Sequence, residues 1–134
     1  MTAAVYYSYT GNSRKKAEEF AKASGTDLIE VTMKKPYGKL SAFLVGCPKA
    51  MGRKSVPVNI DGDLKKYDSF AVFMPVWAGH PAPPFNALLE ELPKGSSVEL
   101  YLCSGGGETT TGEATKAFCE GKGIKLGGYK DIKA

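Results

Sequence analysis

Four side chains able to donate a hydrogen bond to an anion, Ser8, Thr10, Asn12 and Ser13, crowd around a single glycine, Gly11. They belong to the run Tyr7-Ser8-Tyr9-Thr10-Gly11-Asn12-Ser13. The run follows an apolar stretch, Ala3 to Tyr7, and precedes an amphipathic basic one, Arg14 to Ala23. Read physically, a buried strand ends, a hydroxyl-rich loop follows and a helix begins. N–H groups at a helix start lack partners within the helix, and the helix dipole favours negative charge there. Arg14, Lys15 and Lys16 fall in that first turn, where positive charge is unfavourable unless a bound dianion reverses the sign of the interaction. The loop thus has the chemistry of a phosphate site. An ordinary capped turn with solvated cations carries the same string, and from this loop alone both readings stand.

Two further stretches have unusual composition. Pro75-Val76-Trp77-Ala78-Gly79-His80-Pro81 holds the chain's one tryptophan and one histidine, and Cys103-Ser104-Gly105-Gly106-Gly107-Glu108 holds three successive glycines. Each has a plain alternative. A tryptophan ending an apolar run is commonly core, and a glycine run can be a simple turn.

The elements that must position these stretches follow from periodicity. Ala3–Tyr7 reads as a buried strand. Ser13–Ser24 reads as a helix, with Ala17, Phe20, Ala21 and Ser24 on one face and Gly25 as its stop. Asp27–Met33 alternates and reads as a strand near an edge. A turn over Lys34–Gly38 is followed by helical spacing of Leu40, Phe43, Leu44 and Cys47, ended by Pro48. Gly52–Tyr67 shows little periodicity and is expected to be a loop. Ser69–Val76 is continuously apolar, as a strand covered on both faces should be. Pro83-Pro84 opens a helix carrying Phe85, Leu88, Leu89 and Leu92. Val98–Cys103 is a further strand. Thr110-Thr111-Gly112-Glu113 has the form of a capping box for a helix to about Glu120, and Ile124–Tyr129 reads as a short last strand. Strand and helix alternate, so the fold class is α/β, a parallel sheet wrapped by helices with right-handed crossovers. Ligands of such sheets sit at the C-terminal strand ends. There Ser8–Ser13, Trp77–Pro81 and Ser104–Glu108 would meet.

These three loops, in this order, resemble those of the flavodoxin family, and the resemblance spans most of the chain. Ser8-Tyr9-Thr10-Gly11-Asn12-Ser13 is similar to the family's loop for the phosphate of flavin mononucleotide (FMN), with Ser13 where members usually carry Thr. The Val76-Trp77-Ala78-Gly79-His80 stretch is similar to the loop that sets an aromatic ring against the isoalloxazine. Ser104-Gly105-Gly106-Gly107-Glu108 is similar to the loop bordering the pyrimidine edge. The resemblance implies a three-layer sandwich, a five-stranded parallel sheet in order 2-1-3-4-5, and noncovalent FMN carrying one or two electrons. It also implies that Gly79 lets a neighbouring peptide flip toward flavin N5. In this scheme Trp77 supplies stacking area and the glycines let backbone approach the ring, while the electron chemistry is the cofactor's. His80 near the ring would tune it by charge.

The chain also departs from the family. No aromatic residue lies between Ser104 and Thr111, so one ring face is open or covered by Tyr37 or the Gly52–Asn59 segment. Flavodoxins are usually acidic, whereas this chain carries a net charge of +4, which favours an anionic reduced flavin and a less negative potential. The closing helix is expected to be missing, which uncovers part of one sheet face; a homodimer would cover it.

At 134 residues, 43% hydrophobic and 24% charged, the chain is expected to be one domain, residues 1–134. No apolar run approaches the roughly 20 residues of a membrane span. No signal segment is visible, and Cys47, Cys103 and Cys119 form neither a disulfide frame nor a zinc motif, so a reduced, cytoplasmic setting is expected. The mild positive charge suits an anionic ligand or acidic partner, and no nucleic-acid-reading motif is present. The partner would be a redox protein or a small electron acceptor. A receiver domain fails because Tyr7-Ser8 and Met74-Pro75 stand where it needs acidic residues. A low-molecular-weight phosphatase fails because Thr109, not Arg, stands in register with Cys103. Two rivals remain: an FMN-dependent NAD(P)H:quinone-type reductase, and a binding module of the same fold that has lost flavin.

Overall fold

The structure is a computed structural model that describes residues 1–9, 11–34, 48–49, 52–77, 79–104, 109 and 111–133, the side chains of Ser104 and Lys133 excepted. The expected helix around Leu40–Cys47, the 35–38 part of the turn before it, Tyr37 and Cys47 lie outside the described residues.

Five parallel strands make the sheet: β1 (Thr2–Tyr6), β2 (Asp27–Met33), β4 (Ser69–Trp77), β6 (Ser97–Ser104) and β7 (Lys125–Lys133). They run in the order β2-β1-β4-β6-β7, which is the expected 2-1-3-4-5 pattern. Flanking them are the helices α1 (Asn12–Ser24), α2 (Pro83–Glu91) and α3 (Gly112–Gly121). No described helix is long and apolar enough to cross a membrane.

Two strands go beyond that plan. The supposed loop Gly52–Tyr67 contains β3 (Val58–Ile60), antiparallel to β2, and a 3-10 turn at Leu64–Lys66. Three residues are too few to show a period of two, so tertiary pairing made this strand. Beyond β4 the chain turns back as β5 (His80–Pro81), with Trp77 opposite His80 and Val76 opposite Pro81. The last strand is also longer than the expected Ile124–Tyr129. Its sequence, with paired glycines and three lysines, has poor strand character, but its register against β6 continues to Lys133 opposite Ser104. A bulge at Gly127 takes up the irregularity.

The two sheet faces differ. One carries Ala3, Val5, Phe70, Val72, Met74, Val98, Leu100 and Leu102 into the main core beneath α2, whose Phe85 and Leu88 are fully buried. Each such side chain contributes about 1.5–3 kcal/mol. The other face meets α1 through small residues: Ala17 and Ala21 lie over Ala4 and Ala71. Small against small brings α1 close to the sheet, and Gly25, at φ 69°, ends the helix by donating its N–H to the Ala21 carbonyl at 2.8 Å.

Beside α1 three aromatic rings do the covering. Phe73 and Tyr101 stack with centroids 4.7 Å apart and planes 10° from parallel, and Phe20 tilts over both. No helix follows β7 among the described residues, and a groove of about 350 Å³ opens next to this cluster along Phe20, Ala71, Glu99 and Gly127. Tyr101 donates to Glu99 at 2.7 Å. Burial, then that carboxylate, push the Tyr101 pKa up to about 12. Below pH 10 both folded and unfolded chains keep the phenol proton, so Tyr101 adds no pH dependence. Between about 10 and 12 the unfolded chain loses it first, so stability falls as pH rises. Replacing Tyr101 with Phe should flatten that alkaline limb in urea titrations. An unchanged slope would show that Tyr101 is not held protonated.

Candidate functional site

The first two loops singled out in the sequence, and the end of β6 from which the third departs, come together at the C-terminal edge of the sheet. β1 and β4 are neighbours, and the ladder extends past β1 through a Tyr7 N–H bond to the Phe73 carbonyl at 3.1 Å. That brings the start of α1 beside the tip of the β4–β5 hairpin. β6 pairs β4 on its other side, with Cys103 opposite Pro75, so the end of β6 lies at the same mouth.

The first loop closes on itself. Gly11 sits at φ 96°, in the left-handed region, and donates its N–H to Ser8 Oγ at 2.8 Å. Gly11 is also the residue before the first helical turn, so neither Asn12 nor Ser13 caps α1, and no side chain satisfies the helix's leading N–H groups among the described residues. The ordinary capped turn is therefore not what the chain builds. A Cβ placed on Gly11 would meet nothing within 4 Å; backbone conformation, not crowding, is what demands glycine there.

Ser13 is the second anomaly. It is 1% exposed, yet its Oγ has no hydrogen-bond partner among the described residues. An orphaned buried hydroxyl costs roughly 1–3 kcal/mol. It borders the Cys103 thiol without a bond of normal geometry. Burial pushes that thiol's pKa up, while the Ser13 hydroxyl and the Lys16 ammonium pull it back. Cys119, also free, is pushed up to about 11 by burial. Burial disfavours the thiolate at both sulfurs. Arg14, in the first turn, leans 3.7 Å from Glu18, an exposed pair of little weight. Thr10 lies outside the described residues.

The second loop departs from expectation. Trp77 stands at the mouth, but its indole is only 8% exposed and packs in the main core. Tyr7 meets it edge-on at 6.3 Å and Tyr9 at 5.5 Å. The sequence suggested that Trp77 offers its face as stacking area. Instead Tyr9 folds from the first loop onto the tryptophan, since joining two large apolar surfaces removes both from water. Val76 and His80 are half-buried. Gly79 adopts φ 79°, and a Cβ there would meet nothing within 4 Å. Ala78 lies outside the described residues.

The third loop is described only at its ends. Ser104 closes β6, while Gly105, Gly106, Gly107 and Glu108 lie outside the described residues. Past them, Thr110, the first residue of the expected capping box, lies outside the described residues. Thr111 precedes α3 and makes no side-chain cap; its hydroxyl donates instead to the Gly79 carbonyl at 2.8 Å. The far end of this segment is held by Asp131 of β7, whose two carboxylate oxygens accept the Thr109 N–H at 3.0 Å and the Thr109 hydroxyl at 2.9 Å. Neither Thr111 nor Asp131 was legible as a site residue. A Thr at a helix start signals a cap, and an Asp on an edge strand signals solvent. The Gly52–Asn59 segment, a candidate cover for the mouth, packs elsewhere: Asn86 of α2 donates to the Lys54 carbonyl, and the Arg53 guanidinium lies over the Phe118 ring of α3.

Comparison with known proteins bears on the fold. No protein-family model matches the chain. An uncharacterized protein of Archaeoglobus fulgidus is 28% identical over 130 residues, covering 96% of this chain and 82% of the relative. A flavoprotein from Lactobacillus acidophilus, solved in complex with FMN, superposes with a TM-score of 0.76 at 23% identity, over 96% of this chain and 90% of that one. The two-electron reduced flavodoxin of Megasphaera elsdenii superposes with a TM-score of 0.58 at 20% identity, over 97% and 84%. The fold is flavodoxin-like, as the loop order and strand order led one to expect.

Proposed function

We propose that this chain binds FMN without a covalent bond at the C-terminal mouth of its sheet and serves as an electron carrier. One observation carries the reading: an uncapped helix start and the orphaned, buried Ser13 hydroxyl lie beside an aromatic pair, Tyr9 and Trp77, at the ligand-binding edge of a parallel sheet. The donor set fits a phosphomonoester. The α1 N–H groups with Ser13, Ser8, Thr10 and Asn12 would hold it, and Arg14, Lys15 and Lys16 add positive charge. Gly11 keeps the backbone in the conformation that presents these groups.

The flat ring system would lie against Tyr9, which Trp77 backs from the core, with Gly79, His80 and the segment from Ser104 to Glu108 along its edges. The likeness to the Lactobacillus flavoprotein holding FMN supports this choice of ligand. FMN supplies one- and two-electron chemistry when bound. The chain's own tasks are to grip the phosphate, set the ring's orientation and keep water from one of its faces. The partner on this reading is a redox protein or a small acceptor, and the positive net charge of the chain suits an acidic one.

Titrating the ligand-free protein into FMN and following flavin fluorescence tests the reading. Saturable quenching with a micromolar or tighter Kd is expected. No quenching at high micromolar protein would leave a flavin-free binding module. Adding NADPH to the FMN-loaded protein separates the carrier from the reductase: a carrier leaves the nicotinamide absorbance unchanged over minutes, whereas steady oxidation would make the chain a reductase.

A further inference from the structure

The segment between β6 and α3 is tied to both of its neighbours by threonine hydroxyls, and the direction of each bond can be assigned. Asp131 is acceptor-only when ionised, so Thr109 donates both its N–H and its hydroxyl proton to it. A hydroxyl has one proton, so the Tyr129 phenol, in contact with the same oxygen, must donate to Thr109 Oγ1. Two residues later, Thr111 donates its hydroxyl proton to the Gly79 carbonyl. The Thr111 carbonyl in turn accepts the Thr115 N–H at 2.9 Å and the Thr115 hydroxyl at 2.8 Å, and Thr115 is fully buried. Satisfied bonds therefore tie Thr109 to β7 and Thr111 to the tip of the β4–β5 hairpin.

That tip is where fixing matters. Gly79 has left-handed backbone and open space around it, and a glycine at a two-residue hairpin tip has many conformations to lose. The Thr111 hydroxyl restricts the Gly79 carbonyl to one direction. Trp77, paired with His80 across the hairpin, shares that restraint. Thr111 has also given up its usual role, since it caps nothing on its own helix.

Resting on the FMN reading above, we infer that Thr111 and Asp131 are positioning residues for the flavin ring: they hold the Gly79 tip and the end of the third loop in the binding arrangement before ligand arrives. Neither needs to touch FMN. Their effect is preorganisation, which lowers the ordering cost of binding.

The test compares wild type with Thr111→Val, Thr111→Ser, Asp131→Asn and Asp131→Glu. Valine keeps the shape and loses the donor; asparagine keeps the shape and can no longer accept both Thr109 bonds. FMN affinity should fall about tenfold in Thr111→Val and in Asp131→Asn, the value of one ordinary hydrogen bond. Thr111→Ser should restore wild-type affinity. Circular dichroism of the bound flavin should shift in Thr111→Val and revert in Thr111→Ser, a change that general loss of stability would not produce. In the ligand-free protein, amide exchange at Thr109 should speed up in Asp131→Asn and recover in Asp131→Glu. Wild-type binding of FMN with unaltered affinity in both Thr111→Val and Asp131→Asn overturns this inference alone. Failure of the wild type to bind FMN overturns the functional reading and this inference with it.

Discussion

Replacing Ser13 with alanine should raise the melting temperature of the ligand-free protein and at the same time weaken its grip on FMN. The two effects share one cause. Ser13 Oγ is buried and lacks a partner among the described residues. Deleting it removes a desolvated polar atom whose cost is roughly 1–3 kcal/mol. For a domain of this size each kcal/mol is about 3–5 °C, so a rise of several degrees is expected. A hydroxyl donating to a phosphate dianion is a charge-assisted bond worth about 1.5–3 kcal/mol. Its loss should weaken FMN binding roughly ten- to hundredfold. Riboflavin, which lacks the phosphate, is the control: its affinity should not change in Ser13→Ala. Thermal melts and paired titrations with FMN and riboflavin measure all three quantities. A lower melting temperature with unchanged FMN affinity would make Ser13 an ordinary structural serine.

Trp77→Ala should be among the most destabilising single changes in the chain. The indole packs in the main core against two tyrosines. Emptying its site leaves a large cavity, and tryptophan-to-alanine changes in cores cost about 3–5 kcal/mol. The edge-on contacts to Tyr7 and Tyr9 add about 0.5–1.5 kcal/mol each. Against a total stability of roughly 5–15 kcal/mol, the variant should melt at least 10 °C lower or fail to fold. Because unfolding would mask any effect on binding, Trp77→Phe is the informative companion. It keeps most of the apolar volume, so it should fold, while a smaller ring behind Tyr9 lets that tyrosine shift and should weaken FMN several-fold. Urea denaturation and FMN titration of both variants check this. If Trp77→Ala stays within 1 kcal/mol of wild type, the indole is not in the core, and the closed mouth formed with Tyr9 is wrong.

The sequence marked the main elements because their physics is local. A period of 3.6 in Phe85, Leu88 and Leu89 and a continuous apolar run over Ser69–Val76 both follow from which sides of an element meet the core. The first candidate loop was legible for a similar reason: hydroxyls and a glycine between strand and helix signal a helix start that can hold an anion. What was misread depended on partners distant in the chain. β3 is too short to show a period, and β7 runs past Tyr129 because β6 offers it a ladder. Thr111 lay inside an expected capping box, but its hydroxyl donates to the carbonyl of Gly79, 32 residues away.

Taken alone, the chain determined its fold class and the three stretches that would share one edge, while the strand order came with the family resemblance. Hydrophobic periodicity and turn chemistry are properties of neighbouring residues, so they survive in one dimension. The tertiary structure alone decided that Tyr9 closes over Trp77, that Ser13 is buried without a partner among the described residues, and that Thr109, Thr111 and Asp131 tie the mouth together. These follow from which atoms meet after distant segments pack, and burial and hydrogen bonding across such distances leave no periodic trace in the sequence.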